Sequence, residues 1–405
     1  MSAITIMNTP LAVPGFLASA ASAGLKKNGK KDVALIYAPQ GAQISAVFTQ
    51  SQVVAAPVIV SKEHASDQSA SALIMNAGNA NACTGEQGMQ AALRSCEAAA
   101  EALGIATDEV LVASTGVIGV ELAVSRIIDS IEPLVGSLSA QGEALEEVAR
   151  AIMTTDLAVK IASATVEVGE KTYTMTGIAK GSGMMAPNMA TVICCVLTDA
   201  PLTKEALKAI FGQAIDESLN CMTVDGDTST NDTAILMSSG LGLYDTRIED
   251  GDPGYSDIEM AITTICVELA RAIARDGEGA TKLVNVYVSG AATSADARTV
   301  ALEIGNSPLV KTALFGNDAN WGRVAMAAGK AGVAFDQSKM AITFGGIDVC
   351  KDGTAVGFDE DEALAALDRE EVDVHVDLGA GECCAHIWTC DFSYDYVKIN
   401  GEYRS

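Results

Sequence analysis

Residues 180 to 199 read KGSGMMAPNMATVICCVLTD. Small residues crowd Pro187-Asn188, and Ala190-Thr191 then opens directly onto the apolar run VICCVL. That run does not alternate, so it predicts a strand covered on both faces, the kind found inside a layered α/β core. Around it, short strand-like runs alternate with helical stretches along the whole chain. Strands are expected at 32–38, 45–49, 56–61, 72–77, 109–114, 164–168, 171–177, 191–197, 234–240, 282–290, 340–346, 371–378 and 383–392. The last two alternate, which predicts one wet face. Helices are expected at 85–103, 119–132, 142–153, 203–220, 256–275 and 308–314. Ser256 and Glu259 read as a capping box, and Pro308 as a first-turn proline. The class is α/β or α+β, in layers.

With 405 residues the chain holds two to three domains or one large composite one. Hydrophobic residues make up 49% but aromatics only 4%, so aliphatic side chains must fill the core. A net charge of −26 excludes nonspecific attraction to nucleic acid or anionic lipid, and a small anionic substrate would need a local Lys or Arg. The ten Cys lack the spacing of a disulfide framework and read as reduced thiols, mostly core residues. The run 11–24 is broken by Pro and Gly and has its lysines behind it, unlike a signal peptide. No segment reaches 18 uninterrupted apolar residues. A cytoplasmic protein is expected.

Familiar catalytic strings are absent: no GxSxG, no Walker A loop, no HExxH. With three His in the chain, a histidine-based triad has few candidates. CCAHIWTC (383–390) offers Cys383, Cys384, His386 and Cys390, but adjacent residues of a strand face opposite sides, so packing is the expectation and no metal is assigned.

Thr191 has two readings. It can simply open a strand. Alternatively, the bend at Pro187-Asn188 brings its hydroxyl to the Ala190 carbonyl, and an N-to-O acyl shift frees residue 191 as a new N-terminus. An N-terminal threonine carries its own base, an α-amine with a pKa near ~8. An acyl transfer also needs donors for the oxyanion. EVLVASTGVIGVEL (109–122) supplies Thr115 and Gly116, read as lying between a strand and the start of a helix.

Together these stretches resemble the ornithine acetyltransferase (glutamate N-acetyltransferase) family of arginine biosynthesis, nearly end to end. The resemblance is carried by GLKKNGKKDVALI, VFTQSQVVAAPVIVS, NAGNANACTG, ASTGVIG, MTTD, AKGSGMMAPNMAT, GDTSTNDT, ARDGEGATK, LFGNDANWGR and YDYVKINGEYRS. It implies an αββα sandwich with a smaller second domain, related to self-processing N-terminal-nucleophile aminopeptidases. It implies self-cleavage between Ala190 and Thr191 into an α chain (1–190) and a β chain (191–405), assembled as α2β2. Thr191 would be the nucleophile and Thr115 with Gly116 the oxyanion hole. Thr154, Lys180, Thr191, Glu278, Asn400 and Ser405 would bind substrate. Two departures stand out: Ser405 replaces the frequent Thr, and MTTDLAVK lacks the TTDxxPK form of relatives.

The activity this implies is ping-pong transfer of the acetyl group from N2-acetyl-L-ornithine to L-glutamate, without a cofactor. Lys180 would take the substrate α-carboxylate and Glu278 the ornithine ammonium. Acetyl-CoA as a second donor is left open. So are two alternatives, an N-terminal-threonine β-peptidyl aminopeptidase and an uncleaved, non-enzymatic relative.

Overall fold

A computed structural model describes residues 4–186, 192–240 and 244–402. Its larger part is built on nine strands: β1 (Ile4–Met7), β2 (Leu17–Ala21), β3 (Val33–Phe48), β4 (Ser69–Asn79), β5 (Val110–Val117), β6 (Lys160–Val168), β7 (Lys171–Lys180), β8 (Ile193–Thr198) and β9 (Thr233–Ser238). Their order is β1-β6-β7-β8-β9-β3-β4-β5, with β2 on the free side of β3. The 16-residue β3 joins two halves: residues 43–48 pair with β9, and residues 33–37 pair with β2 and β4. The expected strands 32–38 and 45–49 are therefore one strand.

The two halves stack face to face. Ile193, Cys195 and Leu197 of β8 share a core with Leu73, Met75 and Leu111 of the other half. Cys194 and Val196 point the opposite way, into a second core with α5 (Lys204–Glu217) and α6 (Tyr255–Arg275). On the far side, Ala72, Ile74, Val110 and Val112 pack on α1 (Ala56–His64), α2 (Gly85–Leu103) and α3 (Val124–Gly136). The layers are α, β, β, α. The unalternating VICCVL is thus explained: β8 is buried on both faces and paired on both edges. α4 (Gly142–Ile152) closes one end of the inter-sheet core with Leu145, Val148 and Ile152.

A smaller unit follows, a six-stranded sheet of order β13-β12-β11-β14-β10-β15. Its strands are β10 (Leu283–Ala291), β11 (Ala341–Phe344), β12 (Ile347–Lys351), β13 (Thr354–Ala355), β14 (Glu371–Asp377) and β15 (Cys383–Cys390). With it run α7 (Ser294–Gly305), α8 (Pro308–Phe315), α9 (Trp321–Lys330), α10 (Glu360–Leu367) and the C-terminal α11 (Tyr394–Glu402). β14 alternates as expected, but β15 does so only at its start; its last four residues are buried, with Trp388 and Cys390 joined to the α6 core.

Several expectations are corrected. Residues 56–61 are the first turns of α1, not a strand: Pro57 sits in the first turn, where its fixed φ and missing N–H suit a helix. The expected capping box at Ser256 is absent, because α6 begins one residue earlier, behind Gly254 in a left-handed conformation (φ 87°), with no side-chain cap. By contrast, Ser307 caps α8 as its Ser-Pro opening predicts, accepting a hydrogen bond from the Val310 amide. The helix expected from 119 starts at Val124, after an irregular loop. Of the ten cysteines, Cys83 and Cys384 are exposed and Cys383 half-buried; the other seven are buried and free.

Candidate active site

Five segments far apart in sequence end at one cavity. Thr115 and Gly116 come from the last turns of pleat of β5, Lys180 from the end of β7, and Thr154 from the loop after α4. Glu278 comes from the loop after α6, and Asn400 from α11. Ala80, Ile118, Thr155, Gly183, Met184, Ser229 and Asn231 complete the lining. The remaining expected residues, Ala190, Thr191 and Ser405, lie outside the described residues. So does the scissile bond that the resemblance implies.

Gly116 is held where only glycine fits. Its φ is 130°, and a Cβ there would lie 2.4 Å from the backbone carbon of Gly78, its partner across the parallel β4–β5 ladder. The strand carries on to Val117 and the next helix begins only at Val124, so the pair lies within the strand and not at the start of the helix that follows. The expected position of the pair, between a strand and the start of a helix, is thereby corrected.

Lys180 is fully buried and donates from Nζ to Thr115 Oγ1 at 3.2 Å. Burial pushes its pKa down, opposed by the carboxylates of Asp156, Glu278 and Asp232 and reinforced by Lys160. A second buried lysine organises the floor. Lys160 Nζ bridges Asp156 Oδ1 at 2.8 Å and Asp276 Oδ2 at 2.5 Å. Asp156 also accepts the Gly181 and Thr154 amides, at 2.7 and 2.9 Å, so one carboxylate fixes both the Lys180 turn and the Thr154 loop. Burial works against that carboxylate, but Lys180 and Lys160 outweigh it and hold its pKa well below the usual range. Asp276 accepts the Leu157 and Ala158 amides as well, which fixes the loop where the sequence lacks the TTDxxPK form.

Glu278 enters past Gly183, where a Cβ would lie 2.4 Å from its carboxyl carbon. Its Oε2 accepts from Asn400 Nδ2 at 2.8 Å, so α11 bears directly on the site. That helix is seated by the Ser393 hydroxyl on the Gly279 carbonyl and by Phe392 stacked on Tyr396 at 4.4 Å.

GDTSTNDT (226–233) carries part of the family resemblance, but the sequence alone gives its residues no roles. Asn231 Nδ2 donates to the carbonyls of Ala80 and Ser114, at 2.6 and 3.0 Å, and so ties the cavity's two walls together. Asp232 is fully buried at the start of β9. Its Oδ1 accepts the Val192 amide at 3.0 Å, while its Oδ2 is buried with no hydrogen-bond partner within bonding distance among the described residues, the Thr49 hydroxyl acting on the carboxylate only weakly. Burial raises its pKa well above the ordinary carboxylate value, against the Val192 amide, Thr49 and Lys180. An orphaned carboxylate oxygen beside the residue that follows Thr191 is a costly arrangement, of the kind found at functional sites. Among the described residues, no three His, Cys, Asp or Glu side chains converge as metal ligands.

Four α/β/β/α layers with a small, lysine-bearing cavity at the ends of their strands define a layered α/β protein with a candidate small-molecule site. Within that class the chain belongs to the ArgJ family, whose sequence model matches residues 17–405. The arginine biosynthesis bifunctional protein ArgJ of Caldanaerobacter subterraneus subsp. tengcongensis is 48% identical over 395 residues, spanning 96% of this chain and 97% of that protein. The protein of the same name from Symbiobacterium thermophilum is 47% identical over 393 residues, spanning 96% and 97%. A crystal structure of the ArgJ protein from Bacillus halodurans is 42% identical, with a TM-score of 0.49, covering 51% of this chain and 96% of that one.

Proposed function

We propose that this protein is a bifunctional N-acetyltransferase of arginine biosynthesis, working in the cytoplasm without metal or cofactor. It moves the acetyl group of N2-acetyl-L-ornithine to L-glutamate through an acetyl ester on Thr191, and it accepts acetyl-CoA as a second donor. The observation that carries this reading is the convergence of Thr115, Gly116, Thr154, Lys180, Glu278 and Asn400 on one cavity. The names of the relatives, arginine biosynthesis bifunctional proteins, support it.

On this reading the chain first cuts itself. The Thr191 hydroxyl attacks the Ala190 carbonyl, the peptide C–N bond breaks, and water releases the resulting ester. The freed α-amine is then the base for its own hydroxyl. In the first half-reaction Thr191 Oγ attacks the acetyl carbonyl, with the Gly116 amide and Thr115 hydroxyl aimed at the oxyanion. Lys180 steadies the Thr115 hydroxyl and pairs with the substrate carboxylate. Glu278 takes the ornithine ammonium. Ornithine leaves with the proton from the Thr191 amine, and the α-amine of glutamate then collects the acetyl group. The two processed chains, 1–190 and 191–405, pair as α2β2.

Intact-mass measurement tests this directly. The purified protein should give fragments 1–190 and 191–405, and the second should gain one acetyl group when mixed with acetylornithine alone. Thr191→Ala should remain full length and inactive. Full activity in an uncleaved chain would refute the mechanism, because the α-amine would still be locked in an amide.

A further inference from the structure

Beside the catalytic cavity lies a larger cleft with an unusual charge. Two cavities of about 500 and 470 Å³ share Lys26, Asn28 and Thr154, and Thr154 also lines the catalytic cavity, so the three adjoin at that residue. Their combined size is that of a site for a ligand larger than an acetylated amino acid. Lys26, Lys27, Lys30, Lys31, Arg126 and Arg150 line the pair, against Glu121, Glu147 and Asp156. The chain as a whole has 26 basic and 52 acidic residues, so the ratio is inverted here. Two of the three acids are already used: Asp156 by Lys160, and Glu147 by Lys31 at 2.9 Å. Lys27 and Lys30 have no ion pair among the described residues.

The basic loop is built into the fold. Asp32, fully buried, accepts the Ala23 and Lys26 amides at 2.6 and 2.8 Å and so shapes residues 23–32. Leu25 lies against Gly78, where a Cβ would come within 3.2 Å of the Leu25 carbonyl oxygen. Gly78 is the ladder partner of Gly116, which places the loop one strand away from the oxyanion-hole residues. Lys26 Nζ donates to the carbonyls of Ala151 and Lys31, at 2.7 and 3.0 Å, leaving one of its three hydrogens for a ligand. Burial lowers its pKa to about 8, with Asp32 opposing, so it is mainly charged at neutral pH.

We propose that this cleft docks the phosphate-bearing tail of a coenzyme A thioester, whose acyl end reaches the catalytic cavity past Thr154. The proposal rests on the acetyltransferase reading above and adds the place where its second donor binds. Ammonium and guanidinium groups are the natural partners of phosphate oxygens. A chain of net charge −26 repels a polyanion at long range, so a local excess of cations is what would let one bind. In the transfer step Thr191 Oγ bonds to the thioester carbonyl carbon and the C–S bond breaks. The thiolate takes the hydroxyl proton, relayed by the Thr191 amine, and leaves as free coenzyme A. The acetyl ester is the one acetylornithine would form, so the glutamate half-reaction is common to both donors.

The test uses the processed wild type and the double variant Lys27→Glu/Lys30→Glu, both positions being exposed. Coenzyme A binding is measured by calorimetry, and N-acetylglutamate formation from acetyl-CoA, acetyl-pantetheine and acetylornithine is followed in parallel. The variant should raise KM for acetyl-CoA by about 10-fold or more, the equivalent of ~1.4 kcal/mol. Its turnover with acetylornithine and with the phosphate-free acetyl-pantetheine should stay within about twofold of wild type. An unchanged KM for acetyl-CoA overturns the proposal. A wild type that neither binds coenzyme A nor accepts its acetyl group, while still using acetylornithine, overturns it too and leaves the transferase reading intact. Failure of every donor to acetylate Thr191 would remove both.

Discussion

At Glu278 two constraints meet: the carboxylate reaches the cavity because Gly183 leaves room for it, and Asn400 holds one of its oxygens. Paired with an ornithine ammonium in this partly desolvated place, it should contribute about 1.5–3 kcal/mol. Glu278→Gln is therefore expected to lower kcat/KM for acetylornithine by roughly 10- to 150-fold. Transfer from pre-formed acetyl-enzyme to glutamate, read by rapid quench, should fall less or even improve, since glutamate brings a like charge to the same spot. An equal loss in both halves would mean that Glu278 serves the nucleophile instead of reading the substrate. Asp232 presents the opposite case, a buried carboxylate with one oxygen that finds no hydrogen-bond partner among the described residues. Its raised pKa makes the sign definite: ionisation costs stability at any pH above the unfolded value of ~3.9, and the cost is relieved as pH falls through the folded value. Asp232→Asn keeps an acceptor for the Val192 amide and removes the charge. It should raise stability at pH 7 by about 1–3 kcal/mol, measured as urea midpoint, while slowing acetyl transfer. A variant that is less stable would show that Asp232 is satisfied by a partner after all.

The elements differ in how plainly the sequence announces them. β8 was legible because an unbroken apolar run has few homes other than a strand with two covered faces, and α2 spans the expected residues 85–103. α1 was misread because PVIV is as apolar and β-branched as a strand; its first-turn proline was the better guide. α9 hides behind N-D-A-N, which reads as a turn, although Asn320 is in fact its cap, accepting the Arg323 amide at 3.2 Å. Thr115 and Gly116 were legible as candidate donors within their own stretch, whereas Thr154, Lys180, Glu278 and Asn400 were legible only as members of a known set of strings. Nothing local says that β5, β7 and α11 end together. Still less visible was Lys160, whose ammonium clamps the site from below. Lys160→Met should leave Asp276 without its ion pair and Asp156 with only Lys180 to oppose its charge, and cost about 3–5 kcal/mol in denaturant melts. In the wild type the depressed pKa of Asp156 contributes stability above ~3.9, lost as pH falls through the folded value. That acid slope should be shallower in the variant, and an unchanged slope would mean that Lys180 alone holds the carboxylate ionised.

At the scale of the whole molecule, the acidic composition hid a basic cleft, since a net charge is a sum and says nothing of where its minority sits. The same scale decides what self-cleavage between 190 and 191 would leave behind. β8 and β9 follow that point, yet β8 is laddered to β7 over six residue pairs and β9 to β3 over another six. Ile193, Cys195, Leu197, Ile235 and Met237 all find their packing partners in the half built by β2, β3, β4 and β5. A cut would therefore change connectivity without freeing either piece. Fragment 191–405 made alone would carry a two-stranded parallel pair with an open apolar face, a poor folding unit. The smaller sheet, by contrast, keeps its core of Val286, Val288, Ile342, Val374 and Val376 within that fragment. Hydrogen exchange should then protect β10, β11, β14 and β15 in the isolated fragment and leave β8 and β9 unprotected. Co-expression with fragment 1–190 should restore protection at β8 and β9, solubility and acetyl transfer together. If fragment 191–405 alone protected β8 and β9 as the intact enzyme does, the shared core would not be what holds the two chains, and their association would have to be sought elsewhere.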